Sequence, residues 1–198
     1  KQLGTSHALM QEKNKIKETF IVLSGDNIVD NKSISNLISD KSKHSILIKE
    51  HSHPSKYGVV FTEKDKLKKI IEKPKEEIGK FISTGIYKLP KSFFKIIEEL
   101  SKKGIYSITE CVQKLMEKGK KINTILAEDW MDIVYPWDLI IVNEIMISKI
   151  GSSKGGIIDK NVEIKGNVNI GKDSKIHSGS YIVGPVVIGK GCEIGPNA

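Results

Sequence analysis

The chain has 198 residues, of which 38% are apolar and 17 are glycine, with a formal net charge of +8. That length gives one ordinary core plus a small appendage. No apolar run is long enough to span a bilayer, and nothing at the N-terminus is laid out as a signal peptide. The charge comes entirely from lysine, because the sequence contains no arginine. Arginine is the usual bidentate reader of bases and phosphates, so the composition argues against a nucleic-acid partner. It leaves a general attraction for small anions or a solvated lysine-glutamate surface. Cys111 and Cys192 form no CxxC pair, as expected for a reducing, cytoplasmic setting.

In chain order, Thr5 or Ser6 is placed to cap a helix running toward Lys15. Thr19 to Leu23 is short and nearly all apolar, which predicts a strand buried on both faces. It runs into Ser24-Gly25-Asp26-Asn27, and Asp30 is expected to cap a small helix around Ser33 to Leu37. Strands are predicted at Ser45 to Glu50, Tyr57 to Phe61, Leu67 to Glu72 and Phe81 to Tyr87, with His51 and His53 in a loop between the first two. Helical spacing covers Lys91 to Leu100 and Ile108 to Met116. Two further strands follow, Ile122 to Leu126 and Met131 to Tyr135, then an apolar helix over Asp138 to Ile150. Residues 1–150 therefore read as an α/β domain, and Gly151 to Gly156 as a linker.

The last segment, 157–198, obeys a different rule. Isoleucine recurs every six residues, at Ile158, Ile164, Ile170, Ile176, Ile182, Ile188 and Ile194. Two residues before these stand small or β-branched residues: Val162, Val168, Ser174, Ser180, Val186 and Cys192. Six is out of phase with 3.6 but is even, so both registers fall on one face of a strand. This is the hexapeptide signature of a parallel β-helix. At three hexads per triangular coil the isoleucines mark about two coils.

Asp26 is the sharpest single residue of the α/β part. Ligands of open α/β sheets collect beyond the carboxyl ends of strands, and Gly25 lets one approach closely. A carboxylate there suits Mg²⁺ shared with substrate phosphates, or a turn in which it accepts from backbone amides. Asp132, at the end of a second strand, would complete a two-carboxylate phosphoryl-transfer site if the fold brings it to Asp26. Trp130 and Trp137 read as packing residues. Glu72-Lys73-Pro74 is either an exposed strand end or a contact to a sugar phosphate. Gly58 and Gly85 weaken their strands unless a ligand or another backbone passes close by. No zinc ligand set, GxSxG or P-loop is present.

Taken in order, Leu3-Gly4-Thr5-Ser6-His7-Ala8-Leu9, Ser24-Gly25-Asp26, Tyr57-Gly58-Val59-Val60, Glu72-Lys73-Pro74, Ser83-Thr84-Gly85-Ile86-Tyr87 and Trp130-Met131-Asp132-Ile133 resemble the sugar-1-phosphate nucleotidylyltransferases. The hexads resemble the left-handed β-helix of the hexapeptide acyltransferases. Together they resemble the bifunctional uridyltransferase/acetyltransferase type in its archaeal style. The resemblance implies an incomplete Rossmann-like domain followed by the start of a left-handed β-helix. It further implies nucleotidyl transfer from a nucleoside triphosphate, with UTP favoured, to N-acetylglucosamine 1-phosphate or glucose 1-phosphate. Gln2, Gly4 and Thr5 would lie at the nucleotide, Asp26 and Asp132 would hold Mg²⁺, and Gly58, Glu72, Lys73 and Gly85 would line the sugar-phosphate pocket. Lys73, Asp26 and Asp132 would carry the catalysis. A longer protein would add acetyl-CoA-dependent acetyl transfer to glucosamine 1-phosphate and a homo-oligomer, a trimer being favoured.

The sequence departs from that pattern in three places. A first strand and a glycine-rich, basic triphosphate loop are expected before Gly4, Ser107 stands where many relatives carry an acid, and the hexads stop after about two coils. Both ends are therefore expected to be cut from something longer, and the piece alone is expected to be inactive in both reactions. The competing reading is a non-catalytic scaffold or regulatory homologue that oligomerises through the β-helix.

Overall fold

A computed structural model describes residues 2–198. They fall into two compact units that divide between Asp132 and Ile133, so the helix expected to close the first domain belongs to the second unit.

The first unit contains α1 (Thr5–Met10), β1 (Thr19–Val22), β2 (Asn27–Val29), α2 (Asn31–Ser39), β3 (Ser45–Glu50), β4 (Gly58–Glu63), β5 (Lys66–Glu72), β6 (Phe81–Pro90), α3 (Phe94–Ser101), α4 (Ile108–Glu117), β7 (Asn123–Leu126) and β8 (Trp130–Asp132). Six strands form one Rossmann-like but mixed sheet in the order β1-β6-β3-β7-β5-β4. Only β3 and β7 pair in parallel, while the other neighbours are antiparallel. Alternation along the strands fills both faces. Ile46, Ile48, Tyr87 and Leu89 pack with Phe93, Phe94, Ile97, Cys111 and Val112 of the α3–α4 layer. Leu47 and Ile86 point the other way and meet Leu37 of α2. Each such fully buried aliphatic side chain contributes roughly 2 kcal/mol by its transfer from water.

Three expectations are corrected in this unit. The first helix ends at Met10, well short of Lys15, and neither Thr5 nor Ser6 caps it; its N-cap is Gly4, with no side-chain bond. Gln11 to Lys15 continue only as turns, because the helix needs just one face against α3 and the lysine-rich remainder has nothing apolar to bury. The apolar run Thr19–Val22 is not buried on both faces. It is an edge strand with Phe20 and Val22 half-buried and Ile21 exposed, since only β6 lies beside it and only one face meets the core. The strand expected at Met131 to Tyr135 is Trp130–Asp132, ending where its partner β2 begins.

The second unit begins with α5 (Asp138–Ser148), which buries none of its residues. Trp137 is 61% exposed and stacks on Tyr135 with ring centroids 4.6 Å apart. It therefore packs at the surface against Tyr135 and not in a core. Short strands follow: β9 (Ser153–Lys154), β10 (Ile157–Ile158), β11 (Glu163–Lys165), β12 (Val168–Ile170), β13 (Lys175–Ile176), β14 (Tyr181–Val183), β15 (Val186–Ile188) and β16 (Glu193–Ile194). They assemble into three parallel sheets, β10-β13-β16, β11-β14 and β9-β12-β15. In register, Ile158 lies opposite Ile176 and Ile176 opposite Ile194, one coil apart. The hexad isoleucines line the interior. They are buried from Ile170 to Ile188 and half-buried at Ile158, Ile164 and Ile194. The supposed linker is already part of this stack: Ser153 and Lys154 pair with Asn169 and Ile170. A Cβ on Gly156 would stand 2.4 Å from the Ser174 carbonyl oxygen, so coil stacking, not flexibility, requires glycine there.

Candidate active site

The long strand β6 organises the site. Along one edge, β1 pairs with Tyr87 to Pro90 and β4 with Phe81 and Ile82. Between them, at Ser83 to Ile86, that edge has no strand beside it. On the opposite edge the pairing with β3 shifts between Ile46 and Ile48, leaving a bulge centred on Gly85. Gly85 has φ +76°, and a Cβ built on it would meet nothing within 4 Å. Its glycine therefore serves a left-handed backbone that faces open space.

Gly58, Glu72 and Lys73 stand at one border of this gap. Gly58 opens β4 opposite Glu72, the last residue of β5. A Cβ on Gly58 would lie 3.2 Å from Glu72 Oε2 and 3.6 Å from Ser83 Cβ, so Gly58 lets the Glu72 carboxylate lie close over the strand. Lys73 adopts φ +40° and donates its backbone N–H to the Tyr57 carbonyl at 3.0 Å, while its side chain remains exposed. Beneath Gly85, Ser83 Oγ and the buried Tyr87 hydroxyl are 2.9 Å apart. Burial pushes the Tyr87 phenol up, against hydrogen bonds with Ser83 and Thr109 that pull it down.

Asp26 follows β1 where that strand leaves β6, and it is exposed in a turn. The β2–β8 ribbon places Asn27 opposite Asp132 and Val29 opposite Trp130. The fold thus sets the neighbour of Asp26 in register with Asp132, an arrangement that sequence spacing did not reveal. Asn27 Nδ2 donates to Asp26 Oδ1 at 3.0 Å, and Trp130 Nε1 donates to Asn27 Oδ1 at 2.8 Å. Asp132 Oδ1 accepts from the Tyr57 hydroxyl at 2.9 Å. Asp30, as expected, is the N-cap of α2.

Among the described residues no group of three or more His, Cys, Asp or Glu side chains gathers around a common point. The oxygen donors that the β2–β8 pairing offers are two carboxylates, of Asp132 and of Asp26 just before β2. Two hard oxygen donors fit a cation such as Mg²⁺, which keeps several waters and takes its other ligands from substrate phosphates. They do not fit a metal held wholly by protein.

Gln2, Gly4 and Thr5 occupy a different place. Gln2 is exposed in irregular chain. Gly4 packs against Tyr106, whose carbonyl oxygen would lie 2.5 Å from a Cβ at position 4. Thr5 Oγ1 accepts from the Ile108 N–H at 3.1 Å and so takes over the capping that Ser107 leaves undone at α4. A shallow groove of about 650 Å³ runs beside them, lined by Leu3, His7, Gln11, Glu98 and Tyr106 among others, and neither Asp26 nor Asp132 belongs to it. The contacts of Gly4 and Thr5 go instead to Tyr106 and Ile108. Sequence spacing gave no role to Tyr57, Ser83 or Thr109, whose only signal was their position beside Gly58, near Gly85 and, for Thr109, two residues after Ser107.

A profile of the nucleotidyl transferase family matches residues 1–148, and one of bacterial transferase hexapeptide repeats matches residues 167–198. The chain is 40% identical over 175 residues to a "Bifunctional protein GlmU" of Methanococcus maripaludis, covering 86% of this chain and 42% of that one. It is 39% identical over 201 residues to a "Bifunctional sugar-1-phosphate nucleotidylyltransferase/acetyltransferase" of Sulfurisphaera tokodaii, covering 98% of this chain and 49% of that one. It thus spans just under half the length of these curated relatives. The solved inositol-1-phosphate CTP transferase of T. maritima shares the fold, with a TM-score of 0.58 at 19% identity over 69% of this chain and 58% of that one. The chain therefore belongs to the nucleotidyl transferase family, and bacterial transferase hexapeptide repeats follow its Rossmann-like domain.

Proposed function

We propose that the protein of which these residues are part transfers a nucleotidyl group from a nucleoside triphosphate to a sugar 1-phosphate. UTP is the favoured donor, and N-acetylglucosamine 1-phosphate or glucose 1-phosphate the acceptor. The observation that carries this reading is the register of β2 on β8, which sets Asp132 across from the neighbour of Asp26. An oxygen of the sugar phosphate attacks the α-phosphorus, the bond from that phosphorus to the bridging oxygen breaks, and pyrophosphate leaves. No covalent enzyme intermediate is needed, so the protein's work is positioning and charge neutralisation.

Gly58 and Gly85 let the acceptor approach the backbone in the gap along β6, and Glu72 accepts hydrogen bonds from its hydroxyls. Lys73 supplies a cation for its phosphate, while Gln2, Gly4 and Thr5 serve the nucleotide side. Asp26 and Asp132 would hold Mg²⁺, which neutralises charge on the reacting phosphates when bound. By the resemblance of the hexads, the longer protein also transfers an acetyl group from acetyl-CoA to glucosamine 1-phosphate and assembles as a homo-oligomer, a trimer being favoured. No helix among the described residues is long and apolar enough to cross a membrane, and the two free cysteines suit a reducing, cytoplasmic setting.

The test is a panel on the full-length protein with UTP and dTTP against several sugar 1-phosphates, reading pyrophosphate release. Asp26→Ala and Asp132→Ala are each expected to lower turnover by at least about a hundredfold. Full activity in both variants would refute the roles given to Asp26 and Asp132, whereas no turnover of any pair would favour a scaffold.

A further inference from the structure

We infer that Tyr57 is a positioning residue that holds the Asp132 carboxylate in place from the sugar-phosphate side of the gap; this rests on the reading of Asp26 and Asp132 as metal ligands. Tyr57 touches both halves of the site. Its carbonyl accepts from the Lys73 N–H at 3.0 Å, and the next residue, Gly58, pairs with Glu72. Its hydroxyl donates to Asp132 Oδ1 at 2.9 Å.

The ring is itself held. It meets His51 edge-on at 4.9 Å and Trp130 edge-on at 5.7 Å. Trp130 in turn donates to Asn27, and Asn27 donates to Asp26 Oδ1. Each carboxylate thus has one oxygen fixed by a hydrogen bond, and both bonds trace back to the Tyr57–Trp130 contact. A donor on one oxygen restricts rotation of the carboxylate and presents it to a cation at less entropic cost. Outer-shell partners of this kind change metal affinity about 10- to 100-fold when removed.

Mn²⁺ with saturating UTP, whose phosphates complete its ligands, is the probe, and the enhancement of water-proton relaxation on forming the ternary complex is read on the full-length protein. Tyr57→Phe keeps the ring and removes only the hydroxyl. It is expected to weaken Mn²⁺ binding about tenfold with an unchanged unfolding midpoint, and to add nothing in an Asp132→Ala background. If Tyr57→Phe binds Mn²⁺ as tightly as the unmodified chain while Asp132→Ala loses it, Tyr57 is not the positioning residue and the metal reading survives. An affinity loss accompanied by a lowered unfolding midpoint assigns Tyr57 a structural role and overturns the inference. Undiminished binding in both Asp26→Ala and Asp132→Ala, or no binding by the unmodified chain, removes the metal reading and the inference with it.

Discussion

Asp30→Ala should destabilise the first unit by about 1–2 kcal/mol at neutral pH, and the difference should fade in acid. Asp30 Oδ1 accepts from the Ser33 N–H at 2.8 Å, and Oδ2 accepts from the Ser33 hydroxyl and from the Asp129 N–H at 3.0 Å. The Ser33 hydroxyl oxygen accepts in turn from the Glu128 N–H at 2.9 Å. One side chain therefore caps α2 and ties it to the loop that delivers Trp130 and Asp132. Partial burial pushes the carboxyl upward, but these hydrogen bonds outweigh it and bring it from 3.8 down to about 2. Taken in full, that shift is worth about 2 kcal/mol, and solvent screening of a half-exposed group reduces it to about 1 kcal/mol. Loss of an N-cap by itself typically costs about 1 kcal/mol, and the two figures overlap. Because the folded-state value is the depressed one, the contribution is complete above the unfolded value near 4 and drains away as pH falls toward 2. Urea unfolding of the Trp137→Phe chain reads this out, since Trp130 is then its sole tryptophan. A difference below about 0.3 kcal/mol at pH 7, or one as large at pH 2 as at pH 7, would refute the reasoning.

Three further outcomes test other parts of the molecule. Ile176 is 0% exposed at the centre of the β-helix interior, so Ile176→Ala should cost about 3 kcal/mol and make the second unit the first to be cut in limited proteolysis. Gly85→Ala meets no atom but must hold φ +76°. It should cost about 1 kcal/mol in thermal unfolding and raise KM for the sugar phosphate more than it lowers kcat. His177 lies between Glu193 and Asp159 on neighbouring coils, with Nε2 2.7 Å from Glu193 and Nδ1 3.1 Å from Asp159. Glu193 first and Asp159 second raise its pKa above 6.5. Its contribution to coil stacking is thus present in full below the unfolded value and is lost as pH rises through the folded one. The imidazole signals in NMR should titrate above pH 6.5, and Glu193→Gln should bring the midpoint down.

Local patterns were legible wherever one residue type at one spacing decides the outcome. Asp30 three residues before Ser33 is a cap whatever surrounds it, and the hexad isoleucines had nowhere to go but inward. Burial was less legible, because it depends on what arrives at a face from elsewhere. Thr19–Val22 and Trp137 have core-like composition, yet one lies at a sheet edge and the other stacks on Tyr135 at the surface. Gly151 to Gly156 look like a flexible linker, but Gly155 and Gly156 answer to carbonyls of the next coil.

By itself, then, the sequence determined the two architectures, the six-residue step of the β-helix and the ordered motifs that place the chain in its family. Those depend on local periodicity and on residue types read along the chain. Only the tertiary structure decided that Asn27, next to Asp26, pairs with Asp132, that the edge of β6 opens at Gly85, and that Tyr57 spans from Lys73 to Asp132. These are contacts between residues tens of positions apart, set by strand register, and no spacing along the chain encodes a register directly.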